Sequence, residues 1–296
     1  MDRLSYFFSR CLNSNCGPSV FIIYGPTATG KTAISVELSI LYNAEVVNCD
    51  MAQIFAEAKI ATGQVNDEEK CGIPHHLFGF LEAPSIISVY QMRSFIEEKI
   101  KEIFSRHKNV ILVGGSGFCI LSLFFIPSAI YLSYPREVIN SQMPISEIIA
   151  RDIFTSSSSN SRDDIVYFPF FSYTLIYLDI EERGEWASLV KKRIDGFFKK
   201  GLLNEISSMS EEWRRFFLKK KIIGYHELVH YFYECEGSDL FFSDNASLLQ
   251  KKELMFFATC QYGKRQRTFM RKIKRHLLAR AIPSFSHFVK LDDLHY

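Results

Sequence analysis

Acidic residues are missing from the whole stretch 254–291 of this 296-residue chain, although the chain as a whole carries 33 acids against 35 lysines and arginines. A net charge of +2 gives no global attraction to a polyanion. Any such partner must be held by a local concentration of positive charge. The seven cysteines, Cys11, Cys16, Cys49, Cys71, Cys119, Cys235 and Cys260, contain no C-x-x-C pair. Odd in number and scattered, they argue against a disulfide framework or a cysteine-built zinc site and suit a reducing cytoplasm. Residues 1–15 lack the continuous apolar stretch of a signal peptide. The most apolar run, 165–178, is too short to span a bilayer and contains Pro169. No internal repeat is present, and a cytoplasmic chain without a membrane segment is expected.

Short apolar runs are present instead. Residues 20–24 form one, stopped by Gly25; 45–50 form a second, ending on the carboxylate of Asp50; 110–113 form a third, stopped by Gly114 and Gly115; 174–178 form a fourth. Continuous apolar runs of this length suit strands buried on both faces. Helical spacing separates them at 31–42 and 89–104. Strands alternating with helices predict an α/β fold with a parallel sheet flanked by helices. After Asp179 the strand signals stop, and 189–198, 202–217, 222–233 and 246–278 read as helices. The expected organisation is an N-terminal extension at 1–18, an α/β core at 19–180 and a helical C-terminal part at 181–296. The Ser-rich stretch 155–161 reads as a loop.

Gly25-Pro26-Thr27-Ala28-Thr29-Gly30-Lys31-Thr32 fits G-x-x-x-x-G-K-[ST] between a predicted strand and a predicted helix, the context that identifies a P-loop. Its backbone N–H groups wrap a phosphate and the helix N-terminus adds a favourable partial charge. Lys31 is expected to neutralise the distal phosphate, and Thr32 to offer a hydroxyl to Mg²⁺. The motif specifies a polyphosphate without saying which. A kinase uses such a loop for ATP, and a prenyltransferase for an allylic diphosphate whose departure it must stabilise.

Several blocks in order carry a resemblance to the tRNA dimethylallyltransferase (tRNA isopentenyltransferase) family. Residues 25–32 resemble its GPTASGKT. Asn48-Cys49-Asp50-Met51-Ala52-Gln53-Ile54-Phe55 resembles SADSxQVY, 73–77 resemble VPHHL, and 112–118 resemble LVGGTGLY. Arg193-Ile194-Asp195 with Gly201, Leu202 and Glu205 resembles RVDxMxxxGLxxEV. Residues 223–227 resemble IGYKE, and 259–271 resemble TRQYAKRQxTWFR. The chain departs from the pattern at Met51 (Ser), Phe55 (Tyr), Gln64 (Lys), Ser116 (Thr), Lys221 (Arg) and Cys260 (Arg). The helical insert that follows the GGTG block is reduced here to a connector around 126–147.

The resemblance implies transfer of a dimethylallyl group from dimethylallyl diphosphate to the N6 amine of an adenosine next to the anticodon of tRNA, with Mg²⁺, by a monomer with a P-loop NTPase-like fold. Free adenine nucleotide as acceptor, or kinase chemistry, remain the alternatives. Asp50, at the carboxyl end of a parallel strand where such sheets place ligands, is the expected base; a Mg²⁺-organising carboxylate is the other reading. Ser116 either touches the diphosphate or lines the channel, or is a simple turn residue. Lys221 either contacts the diphosphate or belongs to a solvated lysine run. Gln53 either reads an adenine edge or faces solvent. His75 and His76 lack metal-ligand spacing and read as structural or adenine-lining. The basic helix at 246–280 is expected to face tRNA through Lys264, Arg265, Gln266, Arg267 and Arg271, with Leu254, Phe257, Phe269 and Ile273 toward a core.

Overall fold

The computed structural model describes residues 17–127, 165–167, 173–243 and 246–279. The N-terminal extension up to 16, all of the reduced insert expected around 126–147 beyond residue 127, and the Ser-rich stretch 155–161 lie outside the described residues.

A five-stranded parallel sheet forms the centre. Its strands are β1 (Val20–Tyr24), β2 (Ala44–Asn48), β3 (His75–His76), β4 (Asn109–Gly114) and β7 (Tyr173–Tyr177), in the order β3-β2-β4-β1-β7. β5 (Phe125–Pro127) and β6 (Ile165–Tyr167) make a separate antiparallel pair. All five residues of β1 and of β2 are buried, as a sheet covered on both faces requires. β3 was not expected: it is two partly exposed histidines, too short and too polar to announce a strand.

Helix α1 (Lys31–Leu41) follows the P-loop and α2 (Val89–Ser105) leads into β4. Ser88 and Gln91 close a capping box at the start of α2, and Val89, Met92, Ile96, Ile100 and Ile103 supply its buried face. Helix α3 (Gly117–Phe124) follows β4 directly. The C-terminal helices are α4 (Arg183–Lys199), α5 (Leu202–Ser208), α6 (Glu211–Lys220), α7 (Tyr225–Glu234) and α8 (Ala246–Ala279), with a 3-10 turn at Asp239–Phe242. The single helix expected at 202–217 is two: Met209 turns extended and buries its side chain, and Ser210 caps a new helix at the Trp213 N–H.

One hydrophobic cluster runs from β1, β4 and α2 into α4, α6, α7 and α8, and a smaller one fills the α1 face of the sheet. On α8 the inward seam contains Leu248, Met255, Gln266 and Met270, whereas Leu254 and Phe257, expected inside, are 47% and 58% exposed. No helix among the described residues is long and apolar enough to cross a membrane.

Candidate functional site

The loop between β1 and α1 folds into a cradle through its own polar groups. Thr29, 3% exposed, donates its hydroxyl to the Pro26 carbonyl at 2.8 Å. Ala28 takes a left-handed φ of 63° and Gly30 one of 78°. The Thr27 peptide is gripped from both sides by distant helices. Its N–H donates to Gln266 Oε1 at 3.0 Å, and its carbonyl accepts from Trp186 Nε1 at 2.9 Å. Lys31 Nζ folds back onto the loop, donating to the carbonyls of Gly25 (3.0 Å) and Pro26 (2.7 Å). Burial, then the charge of Arg193, lower the Lys31 pKa to about 7 against the opposing pull of Asp50.

Asp50 lies two residues beyond β2 and is fixed by its neighbours. Asn48 accepts the Asp50 N–H at 2.9 Å and donates to the carbonyls of Asp50 and Leu77. Asp50 Oδ1 accepts the Ala52 N–H at 3.0 Å, and Oδ2 accepts the Gly115 N–H at 2.9 Å. The second bond exists because β2 and β4 are adjacent and parallel, so their carboxyl ends meet. Just behind, the Sγ atoms of Cys49 and Cys119 lie 3.1 Å apart in the core.

A cavity of about 1020 Å³ opens at these strand ends, and its wall includes Lys31, Thr32, Asp50, Gln53, Ser116 and Lys221. Residues from four separate sequence blocks thus share one space. Ser116 opens α3, its carbonyl accepting the Ile120 N–H at 3.2 Å. Lys221 is exposed and caps α6 in a left-handed conformation. Gln53 spends its amide N–H groups on the carbonyls of Thr62 and Gly63, both at 3.0 Å. That leaves its Oε1 as the end able to meet a ligand.

Arg193, a residue given no role from sequence, enters the same cavity from α4. The guanidinium lies against the 62–63 loop, where a Cβ on Gly63 would collide with Nη2, and over the Phe197 ring at 5.1 Å. Burial lowers its pKa, while Asp50 and Glu69 attract its charge. The signal was in the spacing: Trp186 and Val190 are buried on α4, and 193 continues their face at i+3. An arginine on the inward stripe of a helix calls for an anion.

Two residues expected on the tRNA-facing surface of α8 turn inward. Gln266, 4% exposed, bridges Thr27 and the Gly115 carbonyl (2.8 Å). Arg267 donates from Nε to Asp179 Oδ1 at 2.8 Å. Lys264, Arg265 and Arg271 are exposed as expected, and Arg265 also reaches the cavity wall. His76 contacts Glu45 at 2.7 Å, and His75 contacts the Ile73 carbonyl at 2.8 Å while lining the cavity.

Against known proteins, a family model described as IPP transferase matches residues 53–147 and 136–273. The tRNA dimethylallyltransferase of Phytoplasma australiense is 27% identical over 273 residues, covering 85% of this chain and 88% of the relative. That of Aster yellows witches'-broom phytoplasma is 28% identical over 311 residues, covering 92% and 99%. The crystal structure of the tRNA delta(2)-isopentenylpyrophosphate transferase of Staphylococcus epidermidis superposes with a TM-score of 0.62 at 22% identity, over 92% of this chain and 93% of that one.

Proposed function

The chain belongs to the IPP transferase family, and from that premise we propose that it transfers a dimethylallyl group from dimethylallyl diphosphate to the N6 amine of an adenosine next to the anticodon of tRNA. The observation that carries the reading is the shared cavity: a P-loop with its lysine, a second cation at Arg193 and a fixed carboxylate face one space. The relatives and the solved structure reported above are all named for tRNA, which supports tRNA over a free nucleotide and over kinase chemistry.

In this reading the N6 nitrogen bonds to the allylic carbon as the carbon–oxygen bond to diphosphate breaks. The amine is a poor nucleophile, its lone pair being delocalised into the ring. Asp50 orients it and takes the proton released as the new bond forms. Lys31, Arg193 and the loop N–H groups stabilise charge on the departing diphosphate; Ser116 and Lys221 add contacts at its edge. Among the described residues no three His, Cys, Asp or Glu side chains cluster as a metal cage. Mg²⁺ suits such a place, since it keeps waters and takes phosphate oxygens with one or two side-chain donors. Here the Thr32 hydroxyl would be that donor, and the bound ion would neutralise leaving-group charge. Gln53 Oε1 offers an acceptor to the adenine edge. Lys264, Arg265 and Arg271 supply phosphate contacts to tRNA.

Labelled dimethylallyl diphosphate, Mg²⁺ and either unmodified tRNA or AMP provide the test. Label in tRNA is the expected result. Label in AMP alone, or transfer of phosphate from labelled ATP with no prenyl transfer, overturns the reading.

A further inference from the structure

Gln266 sits 239 residues from one of its side-chain partners and 151 from the other, yet it connects the phosphate cradle to the carboxylate. Its backbone carbonyl on α8 accepts the hydroxyl of the fully buried Tyr24, the last residue of β1, at 3.0 Å. The side chain leaves from that fixed point with its two ends in different directions. Oε1 accepts the Thr27 N–H in the P-loop, and Nε2 donates to the Gly115 carbonyl. The other side of the Gly115 residue, its N–H, donates to Asp50 Oδ2. A continuous run of hydrogen bonds therefore passes from the cradle through one amide and one glycine to the carboxylate.

The fit suits an amide. Thr27 presents a donor and Gly115 an acceptor, and a primary amide answers both at once from two separate atoms held in one plane. Gly115 is as constrained: a Cβ there would collide with Gln266 Nε2 and come within 3.0 Å of Asp50 Oδ2. The Gly115 backbone is thus pressed between the two side chains. Tyr262, one turn earlier on α8, sets its hydroxyl 3.5 Å from the same carbonyl.

We propose that Gln266 is a positioning residue for prenyl transfer, one amide that sets the distance between the diphosphate cradle and the Asp50 carboxylate. The proposal rests on the reaction described above, in which donor carbon and acceptor nitrogen must meet between those two groups. A glutamine that merely stabilised the fold would affect melting and leave the rate of the folded protein alone. A positioning residue acts on geometry, and a displacement of about 1 Å costs such reactions as much as 10²-fold.

The test uses the full-length Gln266→Met variant, which keeps length and volume and loses both hydrogen bonds, and Tyr24→Phe, which loosens only the anchor of α8. Three quantities are read: the melting temperature, the affinity for inorganic diphosphate with Mg²⁺ by calorimetry, and the single-turnover transfer rate at saturating dimethylallyl diphosphate and tRNA. Gln266→Met is expected to bind diphosphate about tenfold more weakly and to transfer roughly 10–100-fold more slowly at saturation while still folded. Tyr24→Phe is expected to move both in the same direction, about threefold. A folded Gln266→Met protein with wild-type saturating rate and diphosphate affinity overturns the proposal. If that variant does not fold, unchanged values in Tyr24→Phe overturn it instead. A wild-type protein that binds diphosphate but prenylates no tRNA sinks the reaction assigned above; the diphosphate titrations then decide whether Gln266 organises the cradle.

Discussion

The guanidinium of Arg267 lies over the indole of Trp186, 4.2 Å from the ring centroid, while its Nε holds Asp179. The same indole donates its N–H to the Thr27 carbonyl, so this cation belongs to the scaffolding of the P-loop. Arg267→Ala is expected to destabilise the protein by roughly 1–3 kcal/mol, read from urea unfolding, with an unchanged salt slope for tRNA binding. Removing Lys264, Arg265 and Arg271 together is expected to do the reverse: little change in stability, and a slope of log affinity against log salt reduced by about 2–3. A slope that responds to Arg267 and not to these three would assign the roles the other way round.

Asp50 accepts one N–H on each oxygen, from Ala52 and from Gly115. Asp50→Asn turns one of those oxygens into a donor facing a donor, and it removes the proton acceptor. Turnover is expected to fall by roughly 10²–10⁴, with a stability loss of about 1–3 kcal/mol for the unsatisfied pair. Because the carboxylate is not part of the P-loop, diphosphate affinity should change little. Wild-type turnover in this variant would remove Asp50 from the reaction.

Lys31, with a pKa lowered to about 7 by burial and by Arg193, is partly deprotonated at neutral pH. A diphosphate in the cradle favours the charged ammonium, so binding takes up a proton above about pH 7 and weakens as the pH rises further. The unfolded lysine stays charged to a higher pH, so in this window the unfolded state binds more protons and Lys31 makes the empty protein more stable as pH rises. Calorimetry in buffers of different ionisation heat reads the uptake directly. The part due to this lysine should vanish in Lys31→Met; an undiminished uptake there would place the proton elsewhere.

Glu45 is 3% exposed on β2 and is met by Arg106 at 2.7 Å, Lys108 at 2.9 Å and His76 at 2.7 Å. Burial works to raise its pKa, but Lys108, Arg106 and His76 together bring it down to about 2. The sign follows: this stabilisation is complete above the unfolded value near 4.5 and is lost as pH falls toward 2. Urea unfolding at pH 6 and pH 3 should show Glu45→Gln losing less stability on acidification than the wild type. Equal losses would refute this account of acid sensitivity.

Local chemistry carried much of this architecture openly. The four apolar runs are strands because a parallel sheet buries both faces, and G-x-x-x-x-G-K-T between a strand and a helix placed the cradle. Asp50 was legible as a carboxylate at the end of a strand, although β2 stops two residues earlier at Asn48. What was hidden depended on partners far away. Helical spacing groups Lys264, Arg267 and Arg271 on one stripe, but periodicity does not say that Asp179 and Trp186 draw Arg267 inward. Gln266 looked like a polar surface residue until Thr27 and Gly115 gave both ends of its amide a partner. Helix α3, an apolar stretch with little period, was invisible for the opposite reason: its middle, from Cys119 to Leu123, is buried on every side.

The clamp on Thr27 also sets an order of events during synthesis. The glycine-rich loop leaves the ribosome early, but β7 must arrive before the sheet can enclose β1, and Trp186 and Gln266 arrive later still. A nascent chain therefore carries the phosphate-binding sequence for most of its synthesis without the contacts that shape it. The loop gains its Gln266 contact only when α8 docks, so a chain cut short before Gln266 is expected to bind diphosphate more weakly than the whole chain. Only a chain that has completed the C-terminal helix as far as Gln266 can close the contact that holds the Thr27 N–H.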